Sequence, residues 1–248
     1  MTWITLPTLG RHGRLGNQLW QLAAGLSHAR RHGAELRLPR WQYAADFPRV
    51  GALDFVSYHD EMPPTATWSE PSWNFAGLPP FWNGVGLHGY FQALAYWGDR
   101  EEIRRVLMPS HGLLGLQVPG DLCSVHIRRG DYLRLPMHHP IPSRSWLSGA
   151  MRLARDAGAR QFVICSDDVE WCERELPGHE VSHLSEVDDL ALMARCRFNV
   201  IANSSLSWWG AFLGGPGRTV IAPAQWFGPA LSGHDVSQLD PHEGWTWL

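Results

Sequence analysis

The sequence contains no lysine: all 21 basic residues are arginine, set against 24 acidic residues for a formal net charge of −3. With no positive excess, the chain does not read as one that works by coating nucleic acid. Its early glycine segment, Gly10 to Gly16, is not a P-loop either, because a P-loop needs a lysine followed by Ser or Thr; nor does its spacing match a dinucleotide fingerprint. Cysteine is scarce. Cys123, Cys165, Cys172 and Cys196 stand singly among apolar segments, with no CxxC pair and no histidine at ligand spacing, and read as buried thiols rather than disulfides or zinc ligands. Apolar runs long enough for a membrane span are missing, so no integral membrane contact is expected. Met1 to Leu6 lack the basic flank, apolar stretch and cleavage site of a signal peptide, and the expected location is cytoplasmic or peripheral to a membrane.

What is present is enough for a sizeable core. The 248 residues, 44% hydrophobic and 18% charged, suit one large α/β unit or two small domains. Trp3 to Leu6 reads as a first strand and leads through Gly10, Gly13 and Gly16 into a helix whose apolar face is Leu15, Leu19, Leu22, Ala23 and Leu26. Gly33 ends that helix, and Ala34, Leu36 and Leu38 alternate with Glu35 and Arg37 as a strand does. Trp41 to Pro80 carries no sustained period and reads as irregular, with a short strand near Val56. Asp99 is placed to cap a helix through Leu107 in which Glu101 and Arg105 are spaced to pair. Ser110 to Gly120 reads as the link between two halves, a domain of residues 1–115 and one of residues 116–248.

The second half alternates regularly. Strands are expected at Leu122 to Ile127, Gln161 to Cys165, Phe198 to Ala202 and Thr219 to Ala222. Helices are expected at Ser145 to Ala157, with Trp146, Ala150, Leu153 and Ala154 on one side, then at Asp188 to Cys196 and Ser205 to Leu213. Repeated β–α alternation implies a parallel, doubly wound sheet, which binds ligands at the carboxyl ends of its strands.

At such an end stands His126-Ile127-Arg128-Arg129-Gly130-Asp131-Tyr132. Two adjacent guanidinium groups can grip a diphosphate through paired hydrogen bonds, and Gly130 permits the turn that holds them. A solvated surface turn and an RGD-type adhesion tripeptide are the plainer alternatives. Asn203-Ser204-Ser205 opens the helix at Ser205, where hydroxyls and free N–H groups gather; capping and anion binding are both open there. The pairs Asp167-Asp168 and Asp188-Asp189 suit helix capping, with metal binding as the alternative. His138 and His139 lie in a Pro-flanked loop expected on the acceptor side. Of the adjacent pair Trp208 and Trp209, about 100° apart on a helix, one is expected in the core and Trp208 toward a cleft.

These segments together resemble the α-1,2-fucosyltransferase family across nearly the whole length. The matching series is Gly13 to Leu19, Gly89-Tyr90-Phe91-Gln92, His126 to Tyr132, Ser166-Asp167-Asp168 with Trp171-Cys172, Asp189 to Met193, Asn203 to Gly210, and Ala222-Pro223 with Trp226-Phe227. One departure lies in the glycine segment, which continues Trp20-Gln21-Leu22-Ala23 where the family usually has Phe-Gln-Tyr-Ala. The resemblance implies a GT-B-like α/β fold of two Rossmann-type domains with parallel sheets facing an interdomain cleft, the N-terminal one on the acceptor side and the C-terminal one holding GDP-fucose. It implies that Arg128 holds the β-phosphate, that Arg129 supports the loop or the charge, that His126 and Asp189 lie near guanosine and that Ser204 and Ser205 meet the diphosphate. Asn17 and Gln18 would face the cleft.

The expected activity is inverting transfer of fucose from GDP-fucose to O2 of a terminal β-galactoside in an oligosaccharide, without metal or other cofactor. Arg128 would be the main catalytic charge and Asp131 the candidate base. The rivals are a transferase of the same fold with another linkage or a protein acceptor, and, more remotely, a noncatalytic sugar-binding module.

Overall fold

The computed structural model describes residues 2–61, 63–79, 83–110 and 117–248. It divides into two compact units, Met1–Ser110 with Ser237–Leu239, and His111–Val236 with Asp240–Leu248. The expected boundary at residues 115 and 116, and most of the expected link from Ser110 to Gly120, lie outside the described residues.

The first unit is built on strands β1 (Trp3–Thr5), β2 (Glu35–Pro39), β3 (Val56–His59), β4 (Ala66–Ser69) and β5 (Val85–His88), with helices α1 (Leu15–Arg31), α2 (Pro48–Gly51) and α3 (Arg100–Leu107). The sheet order is β3-β2-β1-β5-β4, and every pairing is parallel. All five carboxyl ends therefore share one edge. The opening β, glycine loop, α, β follows the expected pattern. Helix α1 is buried over most of its length, and a Cβ on Gly25 would lie 2.9 Å from Leu6 Cδ1, so the small residue lets helix and chain pack closely. Asp99 caps α3 by accepting the N–H groups of Glu101 and Glu102. Glu101 pairs with Arg104 rather than Arg105, which instead lies 3.8 Å from Glu102. The short strand expected near Val56 is β3, and the stretch otherwise expected to be irregular contains α2 and β4 as well. Strand β4 is mostly exposed at the sheet edge, and its alternation of Ala66 and Trp68 with Thr67 and Ser69 spans only four residues, too short to announce it.

The second unit contains β6 (Leu122–Ile127), α4 (Arg144–Asp156), β7 (Gln161–Ser166), α5 (Val169–Glu175), β8 (Glu180–Val181), α6 (Glu186–Arg195), β9 (Phe198–Val200), α7 (Ser205–Leu213), β10 (Thr219–Ala222) and β11 (Thr246–Trp247). Its order is β11-β10-β9-β6-β7-β8, again wholly parallel. Alternation along β6 sends Cys123, Val125 and Ile127 into the core shared with α4 and Cys172 of α5. On β7, Val163 and Cys165 join Ala191, Leu192 and Met193 of α6 in a separate cluster. Helix α4 buries Leu147, Ala150, Met151 and Ala154, whereas Leu153, expected on the apolar side, is 39% exposed. The true stripe runs one position away because Met151 and Leu147 fill the sheet face.

Candidate active site

The arginine motif follows β6 directly, at the edge where all strands of the second sheet end. Arg128 donates to Asp131 Oδ1 at 2.5 Å and lies 2.8 Å from Asp167 Oδ2, with its guanidinium carbon 5.3 Å from the centre of the Tyr132 ring. Arg129 donates through Nε to Asp168 Oδ2 at 2.9 Å and sits 3.9 Å over Trp171. The Arg129 backbone N–H donates to Asp167 Oδ1 at 2.9 Å, and the Tyr132 hydroxyl to the Asn203 carbonyl at 2.9 Å. The motif is thus tied to the chain after β7 on one side and after β9 on the other. Gly130 has a physical cause here, since a Cβ at that position would collide with the Asp167 carboxylate.

Asp167 and Asp168 hold arginines. Asp168 also caps α5, accepting the Trp171 N–H at 3.3 Å, so the capping expectation holds for it in addition to an ion pair that sequence spacing did not announce. Asp188 and Asp189 are not the cap of α6; Ser185 is, accepting the Asp188 N–H. Asp189 is buried and accepts the Ser182 hydroxyl at 2.5 Å. Burial raises its pKa, against the lowering effect of hydrogen bonds from Ser182 and Cys165. Among the described residues no group of three or more His, Cys, Asp and Glu is arranged to hold a metal ion.

A pocket of about 250 Å³ in this unit is lined by His126, Arg128, Arg129, Arg144, Trp146 and Trp171 among others. His126 is buried at the end of β6. Arg144 brings a third cation, 5.7 Å from the Trp171 ring. Neither Arg144 nor the tryptophan between the two arginines was singled out for a role from the sequence; the adjacency of Trp171 to the Ser166-Asp167-Asp168 segment was the available signal.

Ser204 occupies the cap position of α7 but makes no side-chain capping bond; its carbonyl accepts the Ser207 hydroxyl instead. Ser205 is partly exposed at the first turn. Trp208 is not at a surface. Both it and Trp209 are fully buried, Trp208 stacking on Phe212 at 4.9 Å, because α7 is buried on all its faces from Ser207 to Leu213. His138 is exposed, while its neighbour His139 is the ring that turns toward the arginine loop, stacked on Tyr132 at 4.6 Å. Burial lowers the His139 pKa, and Asp131 opposes that.

In the first unit, Gln18 is not presented to a ligand either. It is buried, donating to the Gly13 carbonyl at 2.9 Å and accepting from Trp41 Nε1 at 2.7 Å, so it staples the glycine loop. Asn17 is partly exposed and accepts from Gln92 Nε2 at 2.8 Å.

Residues 61–240 match the family described as glycosyl transferase family 11. The O-antigen biosynthesis glycosyltransferase WbnK of Escherichia coli is 37% identical over 63% of this chain and 59% of its own length. An alpha-1,2-colitosyltransferase of Escherichia coli is 31% identical over 63% of this chain and 60% of that protein. The chain therefore spans about three fifths of these two relatives. The mouse galactoside 2-alpha-L-fucosyltransferase Sec1 is 26% identical over 87% of this chain and 66% of that protein. In structure, fucosyltransferase NodZ from Bradyrhizobium superposes with a TM-score of 0.56 at 16% identity, covering 86% of this chain and 93% of that one. That likeness is one of fold, and with the two parallel α/β sheets it identifies the architecture as GT-B-like. Two sheets of that kind, an arginine loop at a strand end and a match over residues 61–240 have one conclusion: the chain belongs to glycosyltransferase family 11.

Proposed function

We propose that this chain transfers fucose from GDP-fucose to the O2 hydroxyl of a terminal β-galactoside, with inversion and without a metal ion. The main support is the arginine loop after β6, which holds two guanidinium groups rigidly beside a pocket through Asp131, Asp167 and Asp168. As the bond from the anomeric carbon to the diphosphate oxygen breaks, negative charge grows on the departing GDP. Arg128, already fixed in place, stabilises that charge without reorganising. Arg129, held by Asp168 and Trp171, keeps the loop in shape. The start of α7, where the helix dipole favours an anion, adds Ser204 and Ser205 as donors for the diphosphate. His126 and Asp189 lie toward guanosine in this assignment, and Asn17 and His138 toward the acceptor.

Asp131 is half-exposed and bonded to the guanidinium that the diphosphate would address. A phosphate taking its place releases the carboxylate, which can then accept the proton of the attacking acceptor hydroxyl as the new carbon–oxygen bond forms. Because Asp167 and Asp168 are occupied by arginines, cationic assistance to the leaving group comes from the chain itself.

A second reading is favoured by the relative named as a colitosyltransferase: the same machinery would use a nucleotide sugar other than GDP-fucose. A panel of nucleotide sugars with a β-galactoside acceptor, followed by linkage analysis, separates the two. Fucose on O2, formed equally well in excess chelator, is the expected product. Fucose on a protein Ser or Thr, or preference for another donor sugar, would overturn the assignment.

A further inference from the structure

The carboxyl edge of the first sheet carries an arrangement that the donor chemistry does not use. After β5 the chain runs Gly89-Tyr90-Phe91-Gln92, and after β4 comes Glu70. One carboxylate oxygen of Glu70 accepts both the Tyr90 N–H at 2.8 Å and the Phe91 N–H at 2.9 Å, while the other accepts the Tyr96 hydroxyl at 3.0 Å. Phe91 is held at φ 55, in the left-handed region that a bulky residue occupies only when its surroundings impose it. Gly89 admits the clamp, for a Cβ there would lie 2.5 Å from Glu70 Cβ. Glu70 falls in the stretch that carries no sustained period, and no motif there points to it.

The clamped turn presents two things. Tyr90 stacks between His12, at 4.2 Å, and Trp73, at 4.7 Å, and His88 continues the row 4.7 Å beyond His12. Gln92 donates to Asn17, the residue that follows the glycine loop. All four rings are only partly buried. Glu70 is the acid of this group, and its oxygens are consumed by three donors. Burial first, and then the neighbouring His88, lower the pKa of His12 and so favour its neutral imidazole. Arg11 and Arg14, on the glycine loop nearby in sequence, are exposed. The partly exposed His12, Asn17, Trp73 and Tyr90 together offer aromatic edges, an amide and a phenol. That composition suits a neutral polyhydroxylated ligand, whose C–H faces lie against rings and whose hydroxyls find amide and phenol partners.

We propose that the edge formed by Trp73, Tyr90, His12 and Asn17, backed by the buried Gln92, is the saccharide subsite for the acceptor, and that Glu70 is the positioning residue that presets it. This rests on the transferase reading only for the identity of the sugar. Glu70 acts on the ligand through the backbone of Tyr90 and Phe91 and through the Asn17–Gln92 pair.

The test compares Glu70→Ala, Glu70→Gln and Tyr90→Ala with the unaltered protein. The first readout is saturation-transfer NMR on methyl β-galactoside, which needs no turnover. The second is the rise in melting temperature produced by GDP, which reports on nucleotide binding alone. Glu70→Ala and Tyr90→Ala should lose most of the saccharide signal and raise the acceptor KM tenfold or more, with the GDP response unchanged. Glu70→Gln should recover at least half the saccharide signal, because an amide oxygen can still accept the two N–H groups. Full saccharide contact in the two alanine variants would overturn the proposal. So would loss of the GDP response together with the saccharide signal, since the carboxylate would then be holding the fold as a whole. Should Glu70→Ala fail to fold, Tyr90→Ala and Glu70→Gln decide by the same readouts. An unaltered protein that binds the galactoside but transfers no fucose would refute the proposed donor and leave the subsite standing.

Discussion

Gly130 and Asp167 touch so closely that a single added methyl group would displace the carboxylate. Asp167 is the one acid that bonds both the Arg128 side chain and the Arg129 backbone. Gly130→Ala should therefore act on both arginines at once. A loss of about 1–3 kcal/mol in stability is expected from the overpacking, with turnover reduced at least tenfold beyond it. Urea unfolding and steady-state kinetics on the same preparation check this; normal turnover would show that the loop tolerates a displaced Asp167.

Arg128 and Asp189 are assigned to different ends of the donor, and their variants should separate kinetically. On the proposed assignment, Arg128→Ala removes a group that would bind the departing diphosphate more tightly than the ground state, and should lower kcat by about 10²–10³, near 3–4 kcal/mol. Arg128→Lys should rescue little, because one ammonium cannot reproduce two parallel bonds. Asp189→Asn should raise the donor KM with kcat nearly kept. Since Asp189 is buried against Ser182, a melting-temperature control must accompany it. Near-normal kcat in Arg128→Ala would move the catalytic charge to another residue.

Asp131 is bonded to Arg128, and in the proposed assignment it competes with the diphosphate for that guanidinium. Asp131→Asn should thus bind GDP several-fold more tightly while losing turnover. Calorimetric titration and single-turnover kinetics check the two halves independently. Tighter binding with full turnover would leave Asp131 a counter-ion and remove it as the base.

His28 lies inside α1 with 1% of its surface exposed, and neither ring nitrogen has a hydrogen-bond partner. Burial first, then His32 and Arg31, push its pKa from 6.5 down to about 4. The folded state therefore binds this proton less readily than the unfolded chain. The associated stability is fully present above about pH 6.5 and is lost as pH falls toward 4, by up to about 3 kcal/mol. Unfolding midpoints measured between pH 7 and pH 4.5 should fall more steeply for the unaltered protein than for His28→Gln.

The elements readable in advance were those whose apolar residues keep a period, such as β6 and α1. Strand β8 and strand β11 have two residues each, and α5 buries only Cys172 among its seven, so no pattern exists to be read. Arg128 and Arg129 announced themselves by adjacency at a strand end. The acids that hold Arg129 stand 38 and 39 residues away, and long-range ion pairs have no sequence period. Glu70 escaped notice for the same reason: a carboxylate that bonds backbone N–H groups needs no particular partner residue. Trp208 was misplaced because helical spacing says that two adjacent tryptophans diverge, but not that both directions are core.

All four cysteines are buried, and all belong to the second unit. Burial pushes Cys123 up to about 12 and Cys196 up to about 11, and raises Cys165 and Cys172 as well. A thiol reagent thus finds almost no thiolate while that unit is closed. Its labelling rate becomes a clock for the opening of the second unit alone, blind to the first. Tryptophan emission, by contrast, sees both, since Trp20 and Trp208 lie in different units. Running the two signals together through one denaturant series counts the cooperative blocks: coincident curves mean that the halves come apart as one, and a lag between them measures how much stability each half keeps for itself.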